Sequence, residues 1–593
     1  MERKEVPQNL KWKTEEIFPS DEAWEIEYKA VVSEYAERDF SEFQGKLADK
    51  QTLLACLKES DLIARRLEKL YAYAHLCHDV DVRISKYTSA VAQVSTMFSK
   101  IFSRLAFVEP ELTALPDEVL QGFIADEDFA EYDYRLRKVA ASKAHVLGAA
   151  EEQLLALGSD VMGGFQDVFM MMNNANLNLP KASFQGEETQ ISHGMYGVIL
   201  HTGNAEERKE WFEKYYQAYI NLIDSITQMY YGNVKKGVFY KTVRKYNSCM
   251  EMALDNEDVE PIVYENLISS VHEALPTMHE YISLRKQVTG LKEQHMYDIF
   301  LPLVEDADIK LPFEEAYNLV IEGLAPLGED YQNLLRKAKA EGWIDVCENE
   351  GKRSGAYSSG VYDTHPYVLL NYQPTTNDMF TVAHEMGHAM HSYKSNAAQP
   401  YAKANYTIFL AEIASTVNEV LLLKHLYKKS EDKNLKKYLL NYYMDMFRTT
   451  LFRQTQFAEF EAAAHAKVEA GEALTKESLN DLYYGLNKAY YGDGIIHDEQ
   501  IAYEWARIPH FYNAFYVYKY ATGIISAISI VKRILTEGES AVQDYFTFLS
   551  SGGCEDPVSI LKKAGVDLTT SAPFEAAMEE FSATLQEFKT LLD

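Results

Sequence analysis

The sequence predicts a mainly α-helical protein with one small β element. Three features point that way. Gly (29) and Pro (16) are scarce for 593 residues, which disfavours a turn-rich β architecture. Apolar residues recur at helical spacing. One short stretch, Tyr367-Val-Leu-Leu-Asn-Tyr372, is apolar, β-favouring and bounded by Pro366 and Pro374.

Helical periodicity is clear at Ile63, Leu67, Leu70, Tyr71 and Ala74, and again at Phe313, Tyr317, Val320, Ile321 and Leu324. Both sets are expected to face a core, as are most of the 41 Tyr and 28 Phe. Two breaks interrupt the pattern. Residues 173–186 are Asn-rich, contain Pro180 and read as a linker or surface loop; residues 348–364 are rich in Gly and Ser.

The length allows two to four domains or one large fused helical body. Hydrophobic residues at 47% and charged residues at 25% fit a globular chain and argue against disorder. The formal charge of −31, with no Lys/Arg block to offset it, argues against a nucleic-acid partner. Cys56, Cys77, Cys249, Cys347 and Cys554 are odd in number and lack CxxC spacing, which fits a reducing compartment. The first thirteen residues are charged and contain no apolar run, so no signal peptide is expected. No apolar window reaches about eighteen residues, so neither is a membrane partner, and the cytoplasm is the expected location.

The chemistry gathers after the strand. Thr375 and Asn377 offer N-caps, Asp378 suits a first helical turn, and His384-Glu385-Met386-Gly387-His388 forms an HExxH motif. Positions i and i+4 share a helical face, so His384 and His388 can reach one ion. Neutral imidazole suits zinc. Glu385 lies about 100° further round, placed to approach a water on the metal rather than to chelate. Gly387 costs about 1 kcal/mol relative to Ala and suggests the close approach of another backbone. A catalytic zinc site needs a third protein ligand and an open position. Glu412, Ser415 and Glu419 share one face of the next helix, which is otherwise apolar, and polar groups there need partners or a metal. Glu412 is read as the third ligand. Glu419 is read as accepting the free N–H of a ligand histidine, against the alternative of a solvated helix charge.

The segment Gly351-Lys-Arg-Ser-Gly-Ala-Tyr357, the strand ending in Asn371-Tyr372, HEMGH followed by His391, and Glu412-xx-Ser415-xxx-Glu419 together resemble the thimet-oligopeptidase family of zinc metallopeptidases, and within it the bacterial oligoendopeptidase F group. Leu10-Lys-Trp12 and Ser551-Gly-Gly-Cys-Glu-Asp-Pro557 extend the resemblance over most of the chain, with Cys554 standing where a small hydroxyl residue is expected. The resemblance implies a large helical body enclosing a deep substrate channel, with a small β-sheet beside the zinc-binding helix. It implies an N-terminal helical domain at 1–195 and a catalytic domain at 196–593. It also implies one Zn2+ per chain and cleavage of internal bonds in short peptides.

Two further regions are candidates for substrate contact. Gly355, His365 and Tyr367 belong to a glycine-containing loop and a strand whose edge could pair with an extended peptide, against the alternative of an ordinary structural strand. The run Arg507–Tyr520 is dense in His and Tyr. The resemblance assigns such a run to stabilising the oxyanion. His510, Tyr516 and Tyr520 are the candidates, with Tyr518 close behind, against the alternative of an aromatic core helix. Two other functions stay open: a zinc carboxypeptidase or dipeptidase on a similar scaffold, and a non-catalytic helical binding protein.

Overall fold

The computed structural model describes residues 1–304 and 309–592 and is dominated by helix. Its strands, among the described residues, form one hairpin and one three-stranded sheet. The chain divides into two compact units. The first joins Met1–Val146, Asp308–Leu426 and Ile530–Val566; the second joins Leu147–Ala307, Tyr427–Ser529 and Asp567–Asp593.

In the first unit, helix α1 (Lys50–Asp79) starts at Asp49, whose side chain accepts from the amide of Thr52. Ile63, Leu67, Leu70 and Ala74 are fully buried on its inner face, whereas Tyr71 stays 39% exposed. Helix α2 (Ser85–Arg104) packs along α1. The later periodic set forms the helix Phe313–Gly323, with Phe313, Tyr317, Val320 and Ile321 buried.

The sheet consists of β1 (Ile344–Asp345), β2 (Tyr357–Ser359) and β3 (Tyr367–Leu369), in the order β1-β3-β2. β3 runs parallel to β1 and antiparallel to β2. This corrects the expected open edge at Tyr367–Tyr372. β3 is paired on both sides, and the free edge belongs to β2, inside the stretch that reads as a glycine-rich loop. The sheet leans on the N-terminal tail. Arg3 pairs with the buried Asp345, the amide of Val346 donates to Leu10, and Trp12 packs edge-on against Tyr367 with centroids 6.0 Å apart.

Two helices follow the sheet. Helix α3 (Thr376–Ala398) is capped by Thr375, whose hydroxyl accepts from the amide of Asp378 at 3.1 Å. Helix α4 (Ile408–Lys429) returns across it. At the crossing, a Cβ on Gly387 would lie 2.5 Å from Cα of Ser415 and 2.6 Å from the carbonyl oxygen of Ala414. The close backbone approach suggested by Gly387 is therefore present. Asn418 of α4 bridges the crossing, donating to the carbonyl of Ala383 at 3.0 Å.

The second unit is built on long helices, among them Pro261–Thr289 and helix α5 (Arg453–Glu469). A buried network secures it. Glu504 accepts from Arg453 at 2.6 Å, Arg507 at 2.7 Å and Tyr483 at 2.5 Å. The stretch read as a linker at 173–186 runs into a hairpin, Lys181–Phe184 paired with Glu187–Gln190. Gln185 and Gly186 both have positive φ, as a two-residue hairpin turn of this type requires.

Candidate metal centre

Helix α3 buries Met379, Ala383, Met386 and Met390 along one face, and beside it His384 and His388 stand one turn apart and partly accessible. Helix α4 brings Glu412 to them. One donor atom from each of His384, His388 and Glu412 lies within 4.8 Å of the others. The Nε2 atoms of the two histidines stand 3.2 Å apart, and Oε2 of Glu412 is 3.4 Å from His384 and 3.6 Å from His388. A tetrahedral ion with bonds of about 2.0–2.1 Å needs donors about 3.3 Å apart, so this triangle fits zinc.

Proton positions strengthen the fit. Nδ1 of His384 donates to Oε1 of Glu419 at 2.6 Å, which leaves a lone pair on Nε2 in the neutral ring. That lone pair faces Nε2 of His388, so a proton or a cation has to lie between them. Burial alone would depress His384, but hydrogen bonds to Glu412 and Glu419 raise it to about 10. Burial and the charge on His384 push His388 down to about 4. Burial opposes ionisation of Glu412, yet the two histidines hold its carboxyl below the usual range. The Glu412 side chain keeps 39% of its surface accessible, so the cluster is open on one side, as a catalytic rather than a structural site is.

Glu385 is buried and is not one of the three clustered donors. Burial, reinforced by the charges of Glu412 and Glu419, pushes its carboxyl up to about 7. Around the ligands lie residues the sequence reading did not single out. The Tyr406 ring stacks on the buried His391 at 3.7 Å, and its hydroxyl is 2.9 Å from Ser392 Oγ. Ser392 carries a signal in its spacing, since it follows His384 and His388 at i+8 and i+4.

The substrate candidates separate. Gly355 adopts φ +85°, and its carbonyl accepts from Asn371 at 2.8 Å. It lines a cavity of about 240 Å³ with Asp378 and Thr381 of α3. Tyr367 needs correction as a side-chain contact, whereas His365 lines a separate cavity of about 530 Å³ with Lys337 and Glu341. The His365 ring stacks flat on Trp343 at 4.8 Å, and its Nδ1 bonds to the carbonyl of Pro366. Tyr367 is fully buried and donates to the carbonyl of Lys13. Tyr367 serves packing.

In the second unit, His510, Tyr516 and Tyr520 come together. Tyr516 and Tyr520 lie 5.5 Å apart by ring centroids, and the Tyr520 hydroxyl is 3.4 Å from Nε2 of His510. Tyr512 and Tyr518 are buried instead. Phe515, at φ +56°, turns the chain between Tyr512 and Tyr516.

The profile of Peptidase family M3 matches residues 198–580, and that of Oligopeptidase F matches residues 111–178. The chain is 43% identical to oligopeptidase PepF of Bacillus subtilis over 100% of its length and 88% of the relative's. It is 38% identical to group B oligopeptidase PepB of Streptococcus agalactiae, over 100% and 98% of the two chains. Among solved structures, oligoendopeptidase-F from Enterococcus faecium superposes with a TM-score of 0.74 at 33% identity, covering 97% of this chain and 99% of that one. A Chlamydophila abortus structure superposes with a TM-score of 0.93 at 34% identity, covering 100% and 99%.

Proposed function

The chain belongs to peptidase family M3, and on that premise we propose that it is a zinc-dependent endopeptidase acting on internal bonds of short oligopeptides. The observation that carries the reading is the set of three donor atoms, one from each of His384, His388 and Glu412, at tetrahedral separations, with Glu419 orienting His384. The oligopeptidase names of the relatives support short peptides as the substrate class.

Zinc held by these residues would supply a Lewis acid and acidify a water molecule. Glu385 takes the proton from the attacking water and returns it to the leaving amine. A base with a proton affinity near neutrality can do both. Glu419 keeps the Nδ1 proton of His384 in place, and with it the lone pair on Nε2. His510, Tyr516 and Tyr520 are assigned to the oxyanion, which a Tyr O–H or a protonated His would stabilise by donating to it. The free edge of β2 takes the role first given to β3, pairing with the extended peptide, and Gly355 lets the adjoining backbone turn. Residues 196–593 form the proposed catalytic portion. Five unpaired cysteines favour a reducing, cytoplasmic setting, and no described helix is long and apolar enough to cross a membrane.

The test is a peptide of about nine residues, blocked at both ends, incubated with and without chelator. Mass spectrometry should show internal cuts that vanish with chelator and return with zinc. Release of single residues or dipeptides only from unblocked peptides would favour the exopeptidase. Bound zinc with no cleavage of any peptide would favour a binding protein.

A further inference from the structure

The first unit contains a cavity of about 590 Å³ that the proposed chemistry leaves unused. It begins beside the ligands. Ser392 lines it and lies one turn beyond His388 on the same face of α3, about 6 Å along the axis. Tyr406 lines it too, and its hydroxyl feels the charge of Glu412. The opposite walls are α1 and α2. Tyr71 and Phe98 line the cavity yet stay 39% and 37% exposed. A periodicity that predicts burial for Tyr71 thus meets a hollow.

The free edge of β2 runs along this cavity. The amides of Val368 and Leu370 donate towards β1, to Trp343 and Asp345. The peptide groups of Tyr367 and Leu369 therefore face β2, opposite Ser359 and Tyr357. That leaves the N–H and C=O of Ser358 pointing outward. Ser358 and Ser359 both line the cavity, so a peptide paired there extends into it.

The charge of the cavity selects which end of the peptide. Glu68 is the one carboxylate among the lining residues, and no Lys or Arg lines it. One Glu68 oxygen accepts from Tyr401 at 2.5 Å; the other has no hydrogen-bond partner among the described residues. Neighbouring titratable groups have partners of their own, a neutral hydroxyl in the case of Asp61, whose charge adds to the negative potential at Glu68. Arg65 is bound to Asp363 at 2.5 Å, and Asp61 accepts from Tyr132 at 2.8 Å. His75 lies 3.2 Å from Asp79, and burial holds its ring neutral. A peptide carboxylate would be repelled here, whereas an ammonium gains a partner. We infer that this cavity receives the amino-terminal end of the substrate, with Glu68 binding its free α-ammonium. The inference rests on the peptidase reading and adds a direction to it: the chain enters amino end towards α1 and α2.

The experiment compares two peptides of one uncharged sequence, both amidated, one with a free and one with an acetylated amino terminus. Wild type should show a KM about tenfold lower for the free peptide at similar kcat, the size of one partly buried charge pair. Glu68→Gln keeps an acceptor for Tyr401 and should bring the ratio near one. Ser95→Lys, which places a cation on the same wall, should do so independently of any folding defect in Glu68→Gln. An unchanged ratio in both variants overturns the inference. A third peptide, acetylated but starting with Lys, separates sources of the cation. If it alone gains the low KM, the cavity reads basic side chains and the α-ammonium is excluded. Binding of the same peptides to Glu385→Gln reads the preference without turnover. Absence of cleavage therefore sinks the peptidase reading alone, and absence of discrimination sinks this one alone.

Discussion

Glu385 has 8% of its surface exposed, on a helix that also carries two imidazoles. Burial raises its proton affinity to about 7, which suits a base working near neutral pH. Replacing it with Gln removes the proton acceptor and leaves the three donors untouched. Turnover should fall by about 10²–10⁴ while bound zinc, measured by metal analysis, stays at one per chain. Wild-type turnover in that variant would end the assignment. Glu419 acts through His384. Its hydrogen bond of 2.6 Å orients the ring and raises its basicity, so Glu419→Gln should weaken zinc binding about 10–100-fold, read by competition with a chelating dye. The same ring sets a pH dependence. His384 in the metal-free protein is raised to about 10, so it carries a proton across the neutral range, and a metal must displace it. Apparent zinc affinity should rise with pH between about 6 and 9, by up to about tenfold per unit. A flat profile would show that His384 is not the protonated partner.

Two helices make the site, and their crossing is as specific as the ligands. Backbone atoms of α4 would lie 2.5–2.7 Å from a methyl at Gly387, and backbone cannot swing aside as a side chain can. Gly387→Ala should therefore force α3 and α4 apart, costing about 1–3 kcal/mol in denaturant unfolding, and should separate Glu412 from both histidines. Stability loss with full zinc affinity would mean the crossing does not position the ligands. The ligand pair was legible in the sequence because i, i+4 spacing makes geometry out of order. Glu412 was legible because a carboxylate on an apolar helix needs a reason. The open sheet edge was not. β2 has three residues inside a Gly- and Ser-rich stretch, and its pairing comes entirely from β3. The hairpin at 181–190 was hidden similarly, since Lys-Ala-Ser-Phe and Glu-Glu-Thr-Gln show no apolar alternation. In the 510–520 run, Tyr residues at several positions made the register unreadable. The positive φ of Phe515 turns the chain just before Tyr516, after which the partly exposed Tyr516 and Tyr520 alternate with the buried Tyr518, and no composition announces it.

At the scale of the whole molecule, sequence order and compactness part company. The metal ligands lie in the proposed catalytic portion, 196–593, yet the sheet beside them is finished by the first residues of the chain. Trp12, Tyr367 and Leu369 belong to one buried cluster with α1 and α2. Asp345, fully buried, is held by Arg3 at 2.7 Å, Lys352 at 2.8 Å and the amide of Trp12 at 3.3 Å. Deleting residues 1–13 removes two of those three partners and an indole from the core. A half-unpaired buried carboxylate costs about 3–5 kcal/mol, and loss of a core Trp costs a similar amount. The two losses share neighbours and do not add fully. The truncated chain should unfold at least about 3 kcal/mol more easily, as measured by urea titration. Because β3 leads directly into α3 through Thr375, zinc release should accompany that transition rather than follow it. A truncated chain with an unchanged midpoint and full zinc would mean that the tail merely rests on the sheet, and that 196–593 carries its own stability.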